Sequence, residues 1–369
     1  SNNPKAVAIC SWFMTLKDEL DVMPDMGWFM VNHSRRRYVW EDYMRDVALY
    51  SHVPGSYPEL TKEYFCLVWK ECFPEIRVRK YHRFSKCEFC VARRAEIHDR
   101  SLPIASRLEA KARLSEHLQW AHKRERGLYH KKQMLATTQP QSYISIAIDG
   151  TDKFPEGFPH YFEKTKKTDC GERLKLSVVC VMVHGSAPYI FLAWESIRND
   201  PNLMCEVLTR VLKAEEKKRG RLPNCLFLQL DNCFREKKNT YSEKYLEWLV
   251  ERRVLRTIYA SFLPVGHTHF DCDQLARRIG EALRHRNVTS IEDLTAVLSG
   301  CYTPSPPVEL IRDVLDWRSL LNPTLDKNFP VGTSMCRRNC GIGTKKFTRF
   351  NQERYMGMSS DLHWMITAD

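Results

Sequence analysis

Long apolar runs are missing from this chain: among its 369 residues, no stretch approaches the ~18–20 residues of a membrane-spanning helix. No basic amphipathic segment stands out as a surface anchor, so a membrane is not an expected partner. The opening residues, "SNNPKAVAIC", read neither as a signal peptide nor as an obvious start. Internal repeats and long low-complexity tracts are also missing, which leaves no basis for a repeat array. Cysteine is plentiful, at fourteen residues, yet its scatter does not read as a disulfide framework. Several cysteines stand alone in apolar stretches such as "LSVVCVMV". That usage predicts a reduced, intracellular chain with one or two metal sites.

What is present is positive charge. A formal net charge of +12 predicts an acidic partner, nucleic acid before any other. The length allows a sizeable core and two or three domains. Residues 1–136 are rich in helix formers, charge and aromatics, as in "RRRYVWEDYMRDVALY". "TTQPQS" (137–142) breaks that pattern and reads as a linker. A second domain is expected over 142–300. "PSPP" (304–307) marks its end, and 301–369 form a C-terminal extension.

Within 142–300 the periodicity predicts a definite order of elements. "YISIAID" (143–149) alternates as a strand and ends on an aspartate. "RLKLSVVCVMVHG" and "APYIFLAWES" read as two strands joined by a hairpin at "HGSAP". Helical spacing follows over 201–219, opening with Pro201 after Asp200. "NCLFLQLDN" is a buried strand, "YSEKYLEWLVERR" an amphipathic helix, "VLRTIYASF" a strand and "DCDQLARRIGEALRH" a helix. This is the element order of an α/β, ribonuclease-H-like fold, a mixed sheet flanked by helices.

Carboxylates stand where such a sheet would bring them together. In that fold the first and fourth strands are neighbours, and the helix after the fifth strand carries a third acid. Asp149 ends the first strand, Asp231 the fourth, and Asp271 or Asp273 opens the helix. Converging carboxylates suit two Mg²⁺ ions (or Mn²⁺), which activate water and stabilise a leaving oxygen in phosphodiester cleavage. An aspartate that ends a strand is also an ordinary turn residue or helix cap. Residues two apart on a helix face about 200° from each other, so only one of Asp271 and Asp273 can turn toward the sheet. Periodicity alone does not choose between them. The nearby His267 and His269 could orient a carboxylate or shuttle a proton.

A second metal candidate lies upstream. Cys87-x-x-Cys90 is half of a zinc site, and the segments around "SLP" (101–103) predict a helical hairpin within about 82–134. Across that hairpin His117 falls level with Cys87, and His122 is the expected fourth ligand if the helix bends. His82, His98 and Cys72 are substitutes. The hairpin would present Arg93, Arg94, Lys123, Arg124, Arg126, Lys131 and Lys132 to phosphates. "CRRNC" (336–340) has no evident partner pair. A metallo-β-lactamase-like hydrolase is the rival reading of His-x-His-x-Asp at 267–271, although position 272 is Cys and few further ligands follow.

The motifs "KCEFC", "HLQWAHKRERGLY", "AIDGTDK", "LQLDNCFREKKN" and "LPVGHTHFDCDQ" occur in this order over roughly residues 60–285. Together they resemble a group of eukaryotic transposon-derived proteins with an integrase-type, DDE/D transposase-related domain. The resemblance implies a Mg²⁺-dependent enzyme of DNA cleavage or strand transfer, working in the nucleus. It favours Asp149, Asp231 and Asp273 as the acids, with His267 and Thr268 beside the last. It leaves His269 and Asp271 as variable positions and matches Asn232 and Asn239 to the segment after Asp231. DNA is the implied partner; RNA and self-association are left open. A domesticated relative that binds nucleic acid without cutting it is the alternative.

Overall fold

The computed structural model describes residues 3–321 and 363–367, apart from 24–27, 32, 54, 56, 79–86, 152–156, 164, 166–172, 232–238, 265, 268 and 269. The chain divides into two compact units. The first takes residues 1–128 and 264–270; the second takes 129–263 and 271–369. No helix among the described residues is long and apolar enough to cross a membrane.

The first unit packs helices α1 (Pro4–Lys17), α2 (Arg36–Leu49) and α3 (Lys62–Cys72) around an aromatic core. Phe13, Tyr43, Phe65 and Trp69 are almost fully buried there, with ring centroids of neighbouring pairs 5.1–6.2 Å apart. Asn3 and Thr61 cap α1 and α3 by accepting from Lys5 N and Tyr64 N. A small sheet joins β1 (Asp21–Met23), β2 (Trp28–Val31) and β3 (Ile76–Val78). These strands were hidden within a helical texture, because three or four residues are too few to display a period of two.

Helices α4 (Glu88–His98) and α5 (Ile104–Leu118) pack on each other as the expected hairpin. Its turn is held by Asp99, whose carboxylate accepts from Ser101 N at 2.9 Å and Ser101 Oγ at 2.7 Å. Past Leu118 the backbone widens into a π-helical turn, Gln119–Glu125, and continues as α6 (Arg126–Thr138).

The second unit is a seven-stranded mixed sheet flanked by helices. Its strands are β4 (Tyr143–Thr151), β5 (Ser177–Val183), β6 (Tyr189–Ala193), β7 (Cys225–Leu230), β8 (Thr257–Phe262), β9 (Val308–Ile311) and β10 (His363–Thr367). Their order is β10-β8-β7-β4-β5-β6-β9. β4 pairs antiparallel with β5 and parallel with β7, which in turn lies parallel to β8. The five strands β4–β8 therefore lie in the arrangement fifth-fourth-first-second-third, which is compatible with a ribonuclease-H-like fold. Continuous apolar runs such as Val178–Val183 and Tyr189–Ala193 are buried along their length, as strands covered on both faces must be.

Besides the larger part of α6, the described helices of this unit are α7 (Pro201–Arg219), α8 (Thr240–Glu251), α9 (Asp271–Leu283), α10 (Ile291–Ser299) and α11 (Trp317–Leu321). Asp200 caps α7 by accepting from Asn202 N at 2.9 Å, with Pro201 in its first turn. Asn239 caps α8 by accepting from Ser242 N at 3.0 Å. β9 and β10 lie beyond residue 300 and pair with β6 and β8, so the sheet draws on that part of the chain as well.

Candidate functional site

The register of the central strands decides where the acids lie. Ile148 of β4 stands opposite Leu230 of β7, so the next residues, Asp149 and Asp231, stand one inter-strand spacing apart, about 4.8 Å between backbones. Alternation along β4 puts Asp149 on the face of Ser145 and Ala147, and Asp231, the residue after β7, continues the series of Phe227 and Gln229. Ser145 and Phe227 are themselves partners in the ladder, so this is one face.

Helix α9 covers the same face. His184 Nδ1 lies 2.7 Å from Ser145 Oγ, and its Nε2 lies 2.9 Å from Asp271 Oδ2. Cys272 Sγ donates to Ala147 O at 3.3 Å and to Cys180 O at 3.5 Å, and Cys180 is the ladder partner of Asp149. The first turn of α9, with Asp271, Cys272 and Asp273, is thereby held over the β4–β5 pair.

Asp271 and Asp273 have different surroundings. Asp271 is buried, and its Oδ2 accepts from Tyr129 Oη at 2.8 Å and from Gln133 Nε2 as well as meeting His184. Burial pushes its pKa up, but the hydrogen bond and charge of His184 and the Tyr129 hydroxyl outweigh that. The net result lies below the usual carboxylate range. Burial and the adjacent Asp271 push the Tyr129 phenol far upward in turn. Cys272 is the residue that meets the sheet, which corrects the expectation that one aspartate turns toward it. The two flank Cys272 about 100° to either side, Asp271 committed to interior partners and Asp273 half-buried.

His267 belongs to the first unit and lies among thiols. Cys87 Sγ, Cys90 Sγ, His117 and His267 offer ligand atoms that all lie within 4.8 Å of one another, and all four residues belong to the first unit. Cys87 is the N-cap of α4, Cys90 lies in its first turn, and His117 lies in the last turn of α5. Cys87 Sγ is 3.4 Å from His117 Nε2, Cys90 Sγ is 3.5 Å from His267 Nε2, and the two Nε2 atoms are 3.2 Å apart. Burial, with help from the Arg94 charge, lowers the His117 pKa and favours the neutral imidazole that binds metals. His122, the expected fourth ligand, is outside the four; its Nε2 is 3.1 Å from His267 Nδ1. The π-helical turn makes even this approach possible, since i→i+5 bonding carries residue 122 back toward the side of residue 117.

Gly266 brings the loop close. Its φ is +80°, and a Cβ there would lie 2.6 Å from Cys87 Cα and 2.8 Å from Cys87 Cβ, with the Cys87 nitrogen nearer still. Within the first unit His267 meets thiols and imidazoles, and within the second Asp271 meets Tyr129, Gln133 and His184. His269, Thr268, Asn232, His82 and the "CRRNC" cysteines lie outside the described residues. Cys72 and His98 are not among the four.

The basic residues divide. Lys123, Arg124 and Lys131 are exposed, although Lys123 pairs with Asp18 at 3.1 Å. Arg93 pairs with Glu96, and Arg94 is half-buried. Lys132 turns inward, donating to Ser261 Oγ and lying over the Phe227 ring. Arg126 is 3% exposed, which corrects its expected role: a buried guanidinium cannot meet a phosphate at the surface.

A family model described as a domain of unknown function (DUF7869) matches residues 166–333. That span takes in Asp231, His267 and Asp273 and leaves out Asp149 and the α4–α5 hairpin. No curated protein sequence matches the chain. Among solved structures, it is similar to the Mos1 strand transfer complex, at 12% identity and a TM-score of 0.29, over 71% of this chain and 86% of that one. It is also similar to the Mos1 transposase paired-end complex with left transposon end, at 12% identity and a TM-score of 0.30, over 73% and 89%. Both likenesses are slight, and the functional reading rests on strand register and side chains.

Proposed function

We propose that the second unit is a divalent-metal-dependent nuclease or strand transferase acting on DNA, with Asp149, Asp231 and Asp273 as its acids. The observation that carries this reading is the ladder itself: Asp149 and Asp231 follow an in-register pair on adjacent parallel strands. They share a face with the start of α9. An all-carboxylate donor set suits Mg²⁺ or Mn²⁺, which prefer oxygen ligands. Such ions, when bound, would acidify an attacking water and stabilise the leaving oxygen of a phosphodiester.

The chain's own contribution is positioning. The central strands fix two carboxylates at one spacing, while the Ser145–His184–Asp271 link and Cys272 hold the α9 turn that bears the third. Exposed Arg124 and Lys131 and the overall positive charge favour a polyanion. Zn²⁺ is assigned no part in the chemistry.

Nicking of supercoiled DNA by the purified full chain, with Mg²⁺ or Mn²⁺, tests this. Asp149→Asn and Asp231→Asn are expected to bring cleavage to background while circular dichroism and DNA affinity stay unchanged. Undiminished cleavage in either variant would overturn the assignment. DNA binding by the natural chain with no metal-dependent nicking on any substrate would favour the silent, domesticated alternative.

A further inference from the structure

We propose that Cys87, Cys90, His117 and His267 bind one Zn²⁺ ion as a closed structural site, and that His122 orients His267 without being a ligand. The distances have the right size for one shared ion. Zn–N bonds of about 2.0–2.1 Å and Zn–S bonds of about 2.3 Å in a tetrahedron place two nitrogens about 3.3 Å apart and a nitrogen and a sulfur about 3.5 Å apart. The cluster has 3.2 Å between Nε2 atoms and 3.4 and 3.5 Å between nitrogen and sulfur.

Four protein donors leave no open position for a water or a substrate, so the site is structural. His267 presents Nε2 to the thiols and Nδ1 to His122 Nε2. An Nδ1–H donated to His122 fixes the tautomer whose Nε2 lone pair faces the metal, as outer partners of metal-bound histidines do. Among the described residues the hairpin's apolar cluster is small: Cys90, Leu114 and Leu118 are buried, with Cys87 and Ile97 packed beside them. So small a core gains its stability from a cross-link or a metal. Neither Cys87 nor Cys90 is in a disulfide, and Cys90 and His267 are buried.

This site is independent of the acidic one and has its own readout. The full chain, purified without added metal and washed with a carboxylate chelator to strip Mg²⁺, is expected to retain one zinc per molecule. Replacement by Co²⁺ is expected to give thiolate-to-cobalt charge transfer and the intense visible bands of a tetrahedral ion. His267→Ala should lose the tetrahedral spectrum. His122→Ala should keep stoichiometry and spectrum, with affinity weakened about 10–100-fold. Because His267→Ala could simply unfold the loop, His267→Cys serves as the second variant. It should restore a tetrahedral ion with stronger charge transfer from three thiolates, which a misfolded chain cannot do. The proposal is overturned if the natural chain holds no zinc when refolded with it, or if a Cys87–Cys90 disulfide takes its place. It is equally overturned if His267→Ala keeps the natural spectrum while His122→Ala loses it.

Discussion

At the scale of single residues, Gly266 is where a one-carbon change has the clearest meaning. Its positive φ and its approach to the Cys87 backbone make two separate demands. Gly220 shares the first demand, with φ +81°, but has nothing within 4 Å of an added Cβ. Gly220→Ala should therefore cost only the left-handed backbone penalty, about 1 kcal/mol. Gly266→Ala should cost more, about 2–3 kcal/mol, and should weaken cobalt binding as well. Thermal unfolding of the two variants side by side checks this; equal losses would mean that the loop does not rest on Cys87. None of this was legible in the sequence. Gly-His reads as part of a motif about Asp273, whereas His267 meets His117, 150 positions away. Spacing reveals ligands within one segment, but it cannot pair segments that only the fold brings together.

At the scale of elements, the first turn of α9 separates two aspartates between which periodicity did not choose. Asp271 has a depressed pKa in the folded chain. The stability it contributes is therefore present above the unfolded carboxyl value, about 4, and is lost as pH falls through the folded value. Asp271→Asn should lower the melting temperature at pH 7, and the gap to the natural chain should close toward pH 3. A gap that stays constant across that range would show that the carboxylate charge is not what holds the turn. The same variant should keep measurable metal-dependent nicking, weakened as the turn loosens, while Asp273→Asn loses it. Helices α7 and α9 and the long strands were readable because their periodicity and caps agree with their burial. The π-helical turn was not, since nothing in "QWAHKRE" distinguishes i→i+5 from i→i+4 bonding.

At the scale of the whole molecule, the +12 charge is the property that bears on its partner. Affinity for DNA should fall linearly with salt on logarithmic axes, with a slope of about −0.9 for each phosphate neutralised. Arg124→Ala and Lys131→Ala should each reduce that slope by roughly one. Arg126→Ala should leave the slope unchanged but destabilise the chain, because the side chain is buried. Filter binding across a salt series distinguishes the two behaviours. The pairing of β4 with β7 was legible from element order, whereas β9 and β10, which extend the sheet from beyond residue 300, were not. The three-stranded sheet of the first unit was hidden, its strands being too short to carry a pattern.

The division of the chain has a consequence for its synthesis. Residues 264–270 belong to the first unit, although they emerge only after all of 129–263. A ribosome that has released residues 1–128 has released a hairpin with Cys87, Cys90 and His117 but without the imidazole of residue 267. That nascent segment must wait, partly formed, while five strands of the second unit appear. The first unit to be translated is thus not the first that can be completed, and an N-terminal fragment ending near residue 128 reproduces the waiting state rather than the finished one.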